Sequence, residues 1–118
     1  MVGDVSATDL GDVAATFSVE LVVDHMHGLF KTHGVKILFY CGFATNWCVM
    51  DRPAAIRDMA NRGYGCVLLR DATAGLEQSD TIDGLLNTRA FVDQIELRFG
   101  YSALTDDFIA ACLAQLRK

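Results

Sequence analysis

Ala44-Thr45-Asn46-Trp47-Cys48-Val49 holds the densest chemistry in this chain, because it sets a thiol where an apolar run gives way to a helical pattern. A cysteine in the first turn of a helix meets unpaired backbone N–H groups and the positive end of the helix dipole. Both favour the thiolate, which is the nucleophilic form. Without that setting the same residue is a small hydrophobe, as most unpaired cysteines are. The residues alone leave both readings of Cys48 open.

Cys41, Cys66 and Cys112 show no C-x-x-C spacing and lie in apolar stretches. They are expected to pack as reduced thiols, with neither a zinc site nor a disulfide framework. Asp24, His25, His27 and His33 are metal-ligating types, but they are expected to be solvated groups around a helix, so no metal and no cofactor is assigned. Asp71 ends an apolar strand, on the rim where open α/β sheets bind ligands; the competing role is a loop aspartate that caps the next turn.

These residues need elements to hold them. The run Val35–Gly42 is continuous, apolar and closed by a glycine, which is how a strand covered on both faces reads. Val49, Pro53, Ile56 and Ala60 then recur at helical spacing, with Asp51, Asp58 and Arg62 opposite. Pro53 cannot donate to an i−4 carbonyl, so the first turn around Cys48 is expected to be irregular, or the regular helix to start near Arg52; Gly63 ends it. Gly65–Arg70 reads as a second strand and Tyr101–Leu104 as a short third. Cys41 and Cys66 are expected to be packing residues on the first two. Between the last two strands, Ile82, Leu85, Leu86, Val92, Ile95 and Phe99 give apolar faces for one long or two short helices. Thr105 is a plausible N-cap for a last helix, Asp106–Leu116, whose apolar stripe is Ile109, Cys112, Leu113 and Leu116. The alternation of strand and helix implies an α/β fold with parallel strands.

Three stretches then carry a resemblance: Gly42-Phe43-Ala44-Thr45-Asn46-Trp47-Cys48-Val49, Arg62-Gly63-Tyr64, and Val67-Leu68-Leu69-Arg70-Asp71-Ala72-Thr73-Ala74. Together they resemble the C-terminal half of the isochorismatase-like cysteine hydrolases, from about Gly34 to Phe108. The likeness joins a G-x-A-T-x-x-C-V box, a helix ending in R-G-Y and a strand ending in D-A-T at matching separations. It implies a doubly wound, three-layer Rossmann-like parallel sheet in which Cys48 attacks an amide-type carbonyl carbon. Many relatives hydrolyse nicotinamide, carbamoyl amines or ureido compounds, whereas members that cleave a vinyl ether can lack the cysteine. The resemblance also implies a cis peptide before Ala44, aiming the Ala44 and Cys48 N–H groups at one point as an oxyanion hole.

The family's catalytic aspartate and lysine belong to an N-terminal half with no counterpart here. Residues 1–30 contain neither Lys nor Arg, Asp4, Asp9 and Asp12 sit in no D-x-Q-like strand end, and Lys31 and Lys36 lie too close to the strand. The metal ligands of nicotinamidase-type relatives belong to that same half. Only Cys48, as nucleophile, and Ala44, as oxyanion donor, are therefore carried over. Residues 1–30 are read as an acidic lead-in, divergent or poorly ordered, and residues 31–118 as the C-terminal part of the domain. On this reading the chain is a truncated one that shows no appreciable hydrolysis by itself.

Length and composition agree with one partial domain. The 118 residues are too few for a six-stranded doubly wound sheet. The net charge of −5 supplies no basic footprint for nucleic acid, and no apolar stretch is long enough to span a membrane. No signal peptide opens the chain, so a soluble cytoplasmic protein is expected. The function implied is a cysteine-dependent hydrolase acting on a small-molecule amide substrate. The alternative is a catalytically inactive relative serving oligomerisation or ligand binding. A redox or nucleotide-binding domain is disfavoured by the lack of C-x-x-C and of G-x-G-x-x-G after a strand. Self-association into a homo-oligomer is expected, because the strand Val35–Gly42 would be left with an apolar, unpaired edge.

Overall fold

The apolar run closed by Gly42 forms the first strand, β1 (Ile37–Phe43), of a sheet whose other strands are β2 (Gly65–Ala74) and β3 (Tyr101–Ala103). The computed structural model describes residues 19–117. Strand order is β1-β2-β3, and both pairings are parallel. Parallel neighbours need crossovers, and helices supply them. Between β1 and β2 come α2 (Cys48–Asp51) and α3 (Ile56–Asn61), and between β2 and β3 come a 3₁₀ turn (Ile82–Gly84) and α4 (Leu86–Arg98). The last helix, α5 (Thr105–Leu116), follows β3. This is the α/β architecture expected, with a three-stranded parallel sheet.

The chain divides into two compact units, residues 1–35 and 36–118. In the first, α1 spans Val19–Thr32 and closes with a Schellman-type turn in which Val35 N–H donates to Phe30 O at 2.8 Å. This helix begins inside the acidic segment 1–30 and crosses its boundary at residue 31. Asp4, Asp9 and Asp12 lie outside the described residues. No described helix is long and apolar enough to cross a membrane.

In the second unit the core gathers where α3 and α4 cover the sheet. Met50, Ile56, Met59, Cys66, Leu68 and Ile95 are fully buried there. Each such aliphatic side chain contributes about 1.5–3 kcal/mol by leaving water, so this cluster is what holds the crossover helices in place. The amphipathic pattern of residues 49–60 is present, but the helix is not continuous. Arg52, held before Pro53, takes an extended conformation (ψ 156°), and the regular helix restarts at Ile56, later than the Arg52 expected. Asp58 ties the restart together: its carboxylate accepts from Ala54 N–H at 2.8 Å and from Arg62 Nε at 3.0 Å. Those hydrogen bonds, Ala54's first, hold its pKa below the ordinary carboxylate value.

Other expectations need correction. Cys66 is buried, but Cys41 is exposed, because β1 is an edge strand of this unit and its side chains lack the cover a central strand would have. Ile37, Phe39 and Phe43 are 56%, 48% and 64% exposed for the same reason. The stripe of α5 is open as well: Ile109, Cys112, Leu113 and Leu116 are all exposed, and Phe108 meets the sheet by packing its ring against Phe39 at 4.5 Å. Thr105 is the first residue of α5 rather than its N-cap, a place taken by Leu104. The acceptor that caps this helix comes from elsewhere: Asp71 receives the Thr105 N–H at 2.8 Å and the Thr105 hydroxyl at 2.7 Å.

Candidate active site

The ladder between β1 and β2 breaks once, and the break shapes the site. Tyr40 pairs with Leu68 but Gly42 pairs with Thr73, so residues 69–72 bulge out of register. Bulges of this kind re-aim side chains beside active sites. Here the bulge carries Asp71 to α5 and returns Thr73 and Ala74 to the end of β1. Asp71 is thereby committed to capping a helix, though not the turn that follows it. Hydrogen bonds from Thr105 hold its pKa low.

Beyond the bulge the chain must leave β1 and turn into α2 within a few residues. Gly42 takes φ 111°, which a side chain would resist, and the Phe43–Ala44 peptide is cis. The turn is then clamped from β2. Thr45, fully buried, donates to Thr73 Oγ1 at 2.6 Å, and Thr73 donates in turn to Gly42 O at 2.8 Å. Thr45 N–H reaches Ala74 O at 2.9 Å. Asn46 reads the backbone of Leu76 in both directions, accepting its N–H at 2.8 Å and donating to its carbonyl at 3.3 Å. These contacts fix residues 42–46 against one strand. Cys48 follows as the first residue of α2.

Ala44 is 2% exposed, and its carbonyl accepts the N–H groups of Trp47 at 3.0 Å and Val49 at 3.1 Å. The Ala44 and Cys48 N–H groups, by contrast, donate to no acceptor among the described residues. Two uncommitted donors and an exposed thiol therefore fall within one short stretch of chain, residues 44–48. Cys48 borders two open cavities. One, about 280 Å³, is lined by Tyr40, Cys41, Phe43, Arg52 and the Pro53–Ala55 turn, and the other, about 520 Å³, by Asn46, Trp47, Asp51, Arg52 and Pro53.

The other polar groups around the cavities are mostly spoken for. Asp51 pairs with Arg57 at 2.7 Å. The Tyr40 hydroxyl donates to Ala54 O at 2.8 Å, and burial pushes its pKa up, so it stays protonated. Burial likewise raises the Cys66 thiol. Among the described residues no group of three or more His, Cys, Asp and Glu is placed to hold a metal ion.

Past Leu76, Glu77 anchors the next crossover. Its carboxylate accepts the N–H groups of Asn87 (3.1 Å) and Thr88 (2.7 Å) and the Thr88 hydroxyl (2.8 Å), capping α4 from outside the helix. Partial desolvation alone would raise its pKa, but these hydrogen bonds outweigh it and bring the value to about 2. Thr88 passes the order on by accepting the Gly75 N–H at 2.9 Å.

The expected site residues, Ala44 and Cys48, thus meet at one turn. Sequence reasoning missed Thr45, Asn46 and Thr73 as its supports, although all three stand inside the quoted motifs, and it did not foresee Arg52 on the walls of both cavities. A family model described as the isochorismatase domain matches residues 22–98. No solved structure matches the chain.

Proposed function

The chain belongs to the isochorismatase family, whose domain implies hydrolase-type chemistry, and on that premise we propose that it is a cysteine-dependent hydrolase of small amide-type substrates. Cys48 is the nucleophile. The observation that carries this reading is an exposed Cys48 thiol on the same turn as two N–H groups, those of Ala44 and Cys48, that have no acceptor among the described residues.

In the first step the Cys48 sulfur bonds to the carbonyl carbon, and the carbonyl π electrons move to oxygen. The two N–H groups receive that oxyanion, a contribution worth about 10²–10³ in rate per donor in other enzymes. The C–N bond then breaks, the amine leaves with a proton, and water hydrolyses the thioester to free the thiol. Proton delivery is the part that the cavity residues do not supply. Asp51 is paired with Arg57, the Arg52 guanidinium carries donors and no acceptor, and Tyr40 is engaged with Ala54. General acid–base partners contribute typically 10²–10⁴, and the resemblance implies that an aspartate and a lysine from an N-terminal segment provide them.

Ammonia release from nicotinamide and ureido compounds tests the proposal. A chain joined to such a segment is expected to turn over and to lose activity on Cys48→Ala; turnover that survives that substitution would overturn it. One observation favours a second reading, that of an inactive relative serving oligomerisation: β1 offers an apolar edge with Ile37, Phe39 and Phe43 exposed. A homo-oligomer is compatible with either reading.

A further inference from the structure

We propose that Arg52 selects substrates carrying a carboxylate near the scissile amide; this deepens the reading of Cys48 as the nucleophile and rests on it. Arg52 lines both cavities that border Cys48, and among the described residues it contributes the only Lys or Arg side chain to either lining. A substrate reaching the thiol through either opening therefore meets the same guanidinium.

Two features suit Arg52 to recognition. Its backbone is ordered: Pro53 confines it to the extended region, and its carbonyl accepts the Ala55 N–H at 2.8 Å. Its charge is also uncommitted. The neighbouring carboxylates have other partners, Asp51 taking Arg57 at 2.7 Å and Asp58 taking Arg62 at 3.0 Å, and the Arg52 guanidinium makes no ion pair or hydrogen bond among the described residues. A planar, permanently charged fork with free donors matches a carboxylate in two parallel hydrogen bonds. Phe43, Val49, Pro53, Ala54 and Ala55 make the rest of the smaller cavity largely apolar, while Asn46 and the Arg57-paired Asp51 add polar groups to the larger one. A small amide with a carboxylate at one end and little polarity between fits this arrangement better than a neutral amide.

The test compares two alkylating agents of nearly equal size and different charge, iodoacetate and iodoacetamide, with the modified cysteines quantified by peptide mapping. A unit charge about 6 Å from the reacting centre at an effective dielectric of about 40–80 changes a rate by about three- to tenfold. Arg52→Gln is expected to slow iodoacetate at Cys48 by that factor relative to iodoacetamide, Arg52→Lys to restore most of the ratio, and Cys112 to show no change. N-carbamoylglycine should protect Cys48 in the parent protein and fail to do so in Arg52→Gln, whereas the uncharged ethylurea should protect neither. An iodoacetate-to-iodoacetamide ratio at Cys48 unchanged by Arg52→Gln overturns the assignment of Arg52. The nucleophile assignment fails differently: iodoacetamide would then label Cys41 or Cys112 as fast as Cys48 in the parent protein.

Discussion

Replacing Thr73 by valine should loosen the turn that carries Ala44 and Cys48, and the cost can be worked out from one proton. The Thr73 hydroxyl has a single hydrogen, which goes to Gly42 O at 2.8 Å, so the 2.6 Å contact with Thr45 must be donated by Thr45. Thr73→Val therefore removes two hydrogen bonds and leaves the fully buried Thr45 hydroxyl without an acceptor. An orphaned buried donor costs about 1–3 kcal/mol, and the lost bond to the exposed Gly42 carbonyl adds about 0.5–1, for a total of about 1.5–4 kcal/mol. Thr45→Val is milder, at about 1 kcal/mol, since Thr73 keeps its bond to Gly42. The double variant leaves no orphan, so its cost should fall short of the sum by about 1 kcal/mol. Urea unfolding at constant m-value measures all three. A Thr73→Val cost no greater than that of Thr45→Val, or strict additivity, would refute this picture of the clamp.

Gly100→Ala should destabilise by about 2 kcal/mol or more, because a Cβ there would run into the Cys66 carbonyl, with the carbonyl carbon at 3.0 Å, and force β3 away from β2; unfolding within about 0.5 kcal/mol of the parent would count against the close approach. The Glu77 carboxylate, lowered from its ordinary 4.5 to about 2 in the folded state, stabilises fully above its unfolded pKa and loses that contribution as pH falls from about 4.5 through about 2. Glu77→Gln should flatten melting temperature against pH across that window, and an unchanged slope would show that the cap is not formed. The open edge of β1 should produce association at tens of micromolar by light scattering, reduced by Phe39→Lys; a monomer under those conditions would mean that the edge is covered.

Much of this structure was legible because local rules and tertiary context agree. The runs at residues 35–42 and 65–70 became strands since they are apolar and β-branched, and the R-G-Y ending stopped α3 as a C′ glycine should. Cys41 misled because a continuous apolar run reads as a doubly covered strand, and the pattern does not say whether neighbours are present to cover it. The bulge at residues 69–72 was invisible: nothing in Leu69-Arg70-Asp71-Ala72 announces a broken register, and so Asp71 was read as a rim residue or a cap on the next turn, when Thr105, far along the chain, claims it. Thr105 itself has the residue type of an N-cap, but its hydroxyl serves an acceptor on another strand. The Thr45–Thr73 and Asn46–Leu76 contacts join residues about thirty positions apart, a separation that periodicity does not reach.

The nucleophile can be tested apart from proton delivery with p-nitrophenyl acetate, whose leaving group departs without a general acid. Peptide mapping after brief exposure at neutral pH should find the acetyl group on Cys48 ahead of Cys41, Cys66 and Cys112, with the burst of nitrophenolate lost in Cys48→Ala. Acetylation spread evenly over the exposed cysteines, or a burst that survives Cys48→Ala, would contradict the assignment of Cys48 as the attacking group.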